Sequence, residues 1–235
     1  MTPLVEIKEL NKHYGKVHAL NNVNLTLEKG HIIGLLGPNG SGKTTLLKAM
    51  NGLLEAEGTL EIDGNAPGPK TKSIVSYLPE RTYFDEKMTV NKVIGFFRDF
   101  YADFDETKAR ALLKEMQIDE NVKMKHLSKG TKEKVQLILV LSRKARLYLL
   151  DEPIGGVDPA ARDVILDLIL KMYNPESTVV ISTHLITDVE RIFDEVVFLK
   201  NGAIVTHDDA DVLREKHNKS IDKLFREVFQ CSINY

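Results

Sequence analysis

Cysteine is nearly absent: Cys231 is the single one in 235 residues. No disulfide can close within the chain, and a reducing compartment is the simple expectation. Long apolar runs are missing too. The most apolar stretch, Val135 to Leu141, falls far short of the ~20 residues that a membrane-crossing helix needs. The opening residues, Met1 to Lys8, bring charge too early for a secretory signal. Such a chain is expected to be soluble by itself, with any membrane role reached through a partner. Neither sign of charge dominates: 32 basic residues face 34 acidic ones, for a net charge of -2. That balance supplies no electrostatic footprint for nucleic acid, and none is expected as a partner.

What is present is a globular balance, 43% hydrophobic and 28% charged, in a chain long enough to bury a core without staples. The length fits one large α/β domain, or one core with a smaller lobe. Leu4 to Leu10 and Asn21 to Glu28 alternate polar and apolar residues, as half-buried strands do. His31 to Leu36, Leu147 to Leu150, Thr178 to Ser182 and Val196 to Leu199 are short apolar runs of the kind that form buried strands. Thr59 to Gly64 reads as a strand running into a turn. Helical spacing appears over Lys43 to Met50, from Thr89 to Gln117 with a second helix from Asp105, and over Pro159 to Tyr173. Strands alternating with helices imply a largely parallel sheet. The helical middle reads as an inserted lobe, and Asp208 to Phe229 as a closing helix.

Gly37-Pro38-Asn39-Gly40-Ser41-Gly42-Lys43-Thr44 fits the phosphate-loop pattern of Gly, four residues, then Gly-Lys-Thr. Glycines let backbone amides curl around phosphate oxygens. The helix beginning near Lys43 points its positive end at the anion. Lys43 reaches the β and γ phosphates as a point charge, and Thr44 offers a hydroxyl to Mg²⁺. A bare glycine turn between strand and helix is the plainer alternative. The buried strand before the pattern and the helix after it are the setting that the motif needs.

Leu147 to Leu150 ends in Asp151-Glu152. The carboxyl end of a parallel strand is where α/β folds place ligands. Asp151 would hold Mg²⁺, directly or through water, and Glu152 would polarise an attacking water as general base. A solvated pair of loop acids would look the same in isolation; the phosphate loop upstream favours the functional reading.

With these motifs in hand, the sequence resembles the ATP-binding-cassette ATPases over essentially its whole length. Tyr77-Leu78-Pro79-Glu80 stands where the family has its Q-loop, and Leu127-Ser128-Lys129-Gly130-Thr131 resembles its signature motif. Gly156-Val157-Asp158-Pro159 resembles the D-loop, and Ser182-Thr183-His184 closes a strand as the switch histidine does. The resemblance implies an α/β phosphate-loop core with a mainly parallel sheet, an N-terminal antiparallel β subdomain and an inserted α-helical subdomain. Residues 1–79 and 145–207 would form the core and β subdomain, 80–144 the helical subdomain, and 208–235 a helical tail. It implies ATP and Mg²⁺ as cofactors. Tyr14 would stack on adenine, with Val17 and Thr45 completing the nucleotide contacts. His184 would sense the γ phosphate and act with Glu152 and Lys43 in hydrolysis. Thr44, Glu80 and Asp151 would stand around the metal. Ser128, Lys129, Gly130 and Thr131 would face the nucleotide of a second cassette chain, identical or similar, and Asp158 would communicate across that dimer. The implied partners are that chain and integral membrane subunits, which places the protein on the cytoplasmic face of the cell membrane.

Two departures stand out. Lys129 and Thr131 replace a glycine and the glutamine of the usual signature, and Glu80 replaces the usual Q-loop glutamine. Similar departures occur in drug, peptide and lantibiotic exporters whose ATPase is a separate chain, and the ending Ser220 to Phe229 also looks like theirs. A soluble cassette ATPase is the alternative. Repair members need a long coiled coil for which the gap from Thr44 to Leu127 has no room, and ribosomal members hold two cassettes. Iron–sulfur assembly stays open. In the helical middle, Val93, Ile94 and Phe97 are expected to pack the lobe, while Phe96, Phe100 and Tyr101 are candidates for a membrane partner.

Overall fold

The computed structural model describes residues 3–230, so Cys231 lies outside it. The chain starts with the antiparallel pair β1 (Val5–Tyr14) and β2 (Val17–Leu27), turned at Gly15. Next come β3 (Ile32–Leu36), whose five residues are all buried, and α1 (Lys43–Met50). β4 (Glu57–Ile62) returns to pair antiparallel with β1, giving a three-stranded sheet in the order β2-β1-β4. A short α2 (Pro69–Lys72) leads to β5 (Val75–Leu78). Helices α3 (Val90–Phe100), α4 (Glu106–Glu115) and α5 (Lys129–Leu141) follow. The strand-helix alternation then resumes with β6 (Leu147–Asp151), α6 (Pro159–Met172), β7 (Thr178–Thr183), α7 (Ile186–Val189) and β8 (Glu195–Lys200). β9 (Ala203–Asp209), α8 (Ala210–His217) and α9 (Ile221–Gln230) end the described chain.

The second sheet has the order β5-β6-β7-β3-β8-β9, parallel except for β9. The fold is thus α/β, with a mainly parallel sheet and a separate antiparallel sheet at the N-terminus. Burial on both faces explains why β3, β6 and β7 read as continuous apolar runs. Ile33 and Leu35, with Leu147 and Leu149, face a core shared with α1 and the antiparallel sheet. Ile32 and Leu36, with Tyr148 and Leu150, face the core that α3 to α6 and α9 complete. Register matters for function: Leu36 lies opposite Thr183, and Asp151 opposite Ser182. The carboxyl ends of β3, β6 and β7 therefore sit side by side, at one edge of the sheet.

Several elements differ from the sequence reading. β5 and β9 are strands that the sequence pattern left unread. The expected closing helix over Asp208 to Phe229 is strand to Asp209, then two helices. Asp209 caps α8, accepting from the amides of Asp211 at 2.8 Å and Val212 at 3.0 Å. Asn218, in the left-handed region at φ 50°, separates α8 from α9. α5 begins at Lys129, where the Ser128 hydroxyl accepts from the Thr131 amide at 3.2 Å and caps the helix.

Candidate active site

The loop after β3 curls through glycines that the backbone demands. Gly42 has φ 109°, and a Cβ there would lie 2.3 Å from the carbonyl oxygen of Ala19. Gly40, at φ 79°, faces open space with nothing within 4 Å of a Cβ position. The loop therefore leaves a hollow above the start of α1, where unpaired amides and the helix dipole favour an anion. Ser41 is buried at 4% exposure, and its hydroxyl oxygen has no partner among the described residues. An orphaned buried hydroxyl at a helix N-terminus fits a phosphate oxygen.

Lys43, the first residue of α1, is 6% exposed. Its ammonium donates to the carbonyl oxygens of Gly37 at 2.7 Å and Pro38 at 3.3 Å, and stands 3.6 Å from Glu152. Burial lowers its pKa, and the Glu152 carboxylate beside it works against that shift. A buried ammonium resting on its own loop is a cation ready to exchange carbonyls for phosphate.

Asp151 ends β6 at 1% exposure. Ser182 donates to its Oδ1 at 2.6 Å and Thr44 at 3.1 Å, while the Tyr77 hydroxyl donates to Oδ2 at 3.4 Å. Burial raises the Asp151 pKa, although the bonds from Ser182 and Thr44 oppose it. Tyr77 is pushed up by burial and by Asp151, so its hydroxyl keeps its proton and serves as a donor. The buried carboxylate and the Thr44 hydroxyl form a hard-oxygen pair. Among the described residues, no group of three or more acidic, His or Cys side chains is arranged to hold a metal alone. The ion that fits is one taking its other ligands from water and phosphate, as Mg²⁺ does.

Glu152 follows on a backbone in the left-handed region, φ 49°, unusual for a residue with a side chain. Its amide donates to Ser182 Oγ at 3.0 Å, which holds that turn. The turn aims the carboxylate between Lys43 and His184, whose Nδ1 lies 3.0 Å away. With the proton on Nδ1, His184 donates to Glu152 and fixes its orientation.

These groups open into a cleft of about 1080 Å³. Tyr14 and Val17, 52% and 64% exposed, form its outer edge beside Asn39, Thr44 and Thr45. The exposed Glu80 lies on its wall, near enough that its charge acts on both Lys43 and Asp151. Gly130 and Thr131 stand at the start of α5, with the Thr131 hydroxyl 2.8 Å from that of Ser128. Lys129 lines the cleft, but its ammonium sits over Gly156, where an added Cβ would come within 2.6 Å of it. Its cation thus lies against the 155–158 loop of its own chain. Asp158 is exposed just ahead of α6. The sequence reading missed Tyr77 and Ser182 as partners of Asp151. No spacing in the sequence marks them; only the sheet order shows that β5 and β7 both flank β6.

The ABC transporter family profile matches residues 20–155. The chain belongs to this family. The ABC transporter ATP-binding protein YtrB of Bacillus subtilis (strain 168) is 34% identical, over 92% of this chain and 75% of its own length. The lantibiotic transport ATP-binding protein SrtF of Streptococcus pyogenes is 29% identical, over 93% of this chain and 97% of its own. Among solved structures, an ATP-binding subunit of an ABC transporter superposes with a TM-score of 0.85 at 29% identity, covering 95% of this chain and 98% of that one. As a member of the ABC family this chain is an ATP-binding subunit and an ATPase, which sets aside the soluble alternative. No described helix is long and apolar enough to cross a membrane.

Proposed function

We propose that the chain is the motor of an exporter, hydrolysing ATP with Mg²⁺ as one of two paired cassettes attached to separate membrane subunits. The observation that carries this reading is the meeting of Lys43 and Thr44, from the start of α1, with Asp151 and Glu152, from the end of β6. In this reading Lys43 releases the carbonyls of Gly37 and Pro38 and takes the β and γ phosphates. Gly37 to Thr45 wrap the triphosphate with backbone amides, and Tyr14 and Val17 cover the base. Thr44 and Asp151 would hold Mg²⁺, with Glu80 near it, and the ion would supply charge neutralisation. Glu152 accepts the proton of the attacking water, and His184 keeps its carboxylate aimed.

The exposed start of α5 supports pairing. Ser128 to Thr131 present a helix N-terminus, an anion-binding end, to whatever docks there, and in this reading that is the γ phosphate held by a second chain, identical or similar. Asp158 would signal across the same interface. A membrane partner has a natural seat on residues 80–144: Phe96 and Phe100, 42% and 69% exposed, stack at 4.3 Å on the outer face of α3. The site would then work at the cytoplasmic face of the membrane. The direction of transport rests on the resemblance to exporters and on the similarity to a lantibiotic transport protein.

Co-purification tests this reading. The tagged chain, extracted from its own cells in mild detergent, is expected to bring down a multi-spanning membrane subunit in stoichiometric amount. Recovery with soluble partners alone, from a chain that still hydrolyses ATP, would remove the transporter role and leave the ATPase.

A further inference from the structure

Behind the acid pair lies a second, much smaller cavity of about 20 Å³. It is walled by Pro79, Glu80 and Thr82, by Glu133 and Gln136 of α5, and by Asp151 and Glu152. The described residues contain four buried side-chain atoms without a hydrogen-bond partner: Ser41 Oγ, Asp103 Oδ2, Glu133 Oε2 and Gln136 Oε1. Two of the four belong to this one cavity. Gln136 is 2% exposed, and its amide nitrogen donates to the Pro79 carbonyl at 3.4 Å. Glu133 reaches Lys129 at 3.8 Å through its other oxygen, Oε1.

Two unpartnered oxygens, one of them on a residue almost wholly removed from solvent, call for a donor with two hydrogens, and among the described residues no donor reaches either. The space holds one water molecule and little more. Donation to Glu133 Oε2 and Gln136 Oε1 would use both of its hydrogens, and its oxygen faces a wall that includes Thr82. The same wall includes Asp151 and Glu152. Gln136 therefore stands where three elements meet: α5, which begins at Ser128; the loop from Pro79 to Thr82; and the end of β6.

We infer that Gln136 is a positioning residue for hydrolysis: its amide ties α5 to Pro79, and with it the 80–82 segment that walls the acid pair, while one water shared with Glu133 fills the cavity behind Asp151 and Glu152. This inference rests on the ATPase reading of the same site. It assigns to a helix residue the neutral carboxamide that position 80, a glutamate, does not provide. A displacement of α5 when its N-terminus engages a partner would move the 79–82 segment against the acid pair through this joint, without any contact between Gln136 and nucleotide.

Two measurements on the intact chain decide it. Gln136→Met keeps the side chain's bulk and deletes its amide. It is expected to lower kcat for ATP about tenfold, with KM and melting temperature close to wild type. The double variant with Glu133→Leu is expected to be no slower than the worse single variant, because both lose the same water. Unchanged kcat, or loss of kcat and melting temperature together, would overturn the positioning role. Independently, a crystal structure of the nucleotide-free wild-type protein should show one ordered water within ~3.2 Å of both oxygens. A direct Glu133–Gln136 bond, a dry cavity, or a cation at the short distances of ~2.0–2.6 Å would overturn the joint. That structure decides the matter even if the variants fail to fold. A wild-type chain that does not hydrolyse ATP would sink the ATPase reading, which the ordered water does not test.

Discussion

Glu152 occupies an uncommon setting: a non-glycine residue in the left-handed region, with its carboxylate held between an ammonium and an imidazole. A backbone of that kind costs about 1 kcal/mol or more, and the surrounding structure must enforce it. Here the bond from its amide to Ser182 does so. Glu152→Gln keeps shape and turn but removes the base. ATP hydrolysis in a phosphate-release assay is expected to fall by about 10²–10⁴-fold, while ATP affinity by titration stays close to wild type. Wild-type turnover would remove Glu152 as the general base. Asp151 allows a test with the opposite sign on stability. Its pKa is raised by burial, so the folded chain holds that proton more tightly than the unfolded chain does. Its contribution to stability is full below the ordinary carboxylate range and is lost as pH rises through its folded pKa. At neutral pH the ionised carboxylate is a burden, which Asp151→Asn lifts. That variant is expected to gain about 1 kcal/mol, roughly 2–4 °C in Tm, without nucleotide. Its Mg²⁺-dependent turnover should be lost.

Helix α3 divides its aromatic residues between two roles. Val90, Val93, Ile94 and Phe97 recur at helical spacing and are fully or almost fully buried. Phe97 also packs edge-on or tilted against Phe84, Tyr101 and Phe104. Phe96 and Phe100 stack on each other on the outer face. Phe97→Ala is therefore expected to cost about 3–5 kcal/mol in urea unfolding. Phe100→Ala should change stability by less than about 0.5 kcal/mol, yet weaken recovery of the membrane subunit. Equal stability costs would mean that the outer pair is structural after all. Helix α5 shows the same economy of position: Ser128 caps its N-terminus, Gln136 reaches Pro79 from its middle, and Val135 with Leu137 to Leu141 fill the core.

At the scale of the whole molecule, the site is one-sided. The phosphate loop, Glu152 and His184 converge in one cleft, with Asp151 buried behind it, while Ser128 sits at the exposed start of α5. If a second chain completes the site, turnover per chain is not constant. Specific ATPase activity is expected to rise with protein concentration and to level off once the dimer is saturated. A flat profile from nanomolar to micromolar, for a chain that stays monomeric in sedimentation, would remove the paired-cassette mechanism. The molecule also couples its parts through single residues. Arg143, 3% exposed, donates to the carbonyl of Val75 at 2.6 Å, pairs with Asp103 at 3.0 Å and lies 4.1 Å from the Tyr101 ring centre. It pins the helical segment to the edge of the parallel sheet.

The sequence alone determined what depends on local spacing. Gly37 to Thr44 specify a loop and a helix start because only glycine tolerates φ 109° at Gly42, with the Ala19 carbonyl so close. The apolar runs of β3, β6 and β7 announced strands buried on both faces, and the acid pair at the end of β6 was visible as a pattern. β5 escaped because four residues give too little periodicity. β9 escaped because it is an edge strand, half-exposed and polar. The break between α8 and α9 turns on one asparagine in a left-handed conformation, which no hydrophobic spacing marks. What only the tertiary structure decided is which strand ends are neighbours. The order β5-β6-β7-β3 brings Tyr77, Asp151, Ser182 and the phosphate loop together across sequence separations of 31 to 107 residues. Lys129 lying against Gly156, and Gln136 beside the acid pair, follow from how α5 packs on that sheet. Helical and strand periods tell a residue which face it occupies; contact across elements is set by packing, where dispersion and exclusion of water act between residues that the sequence keeps apart.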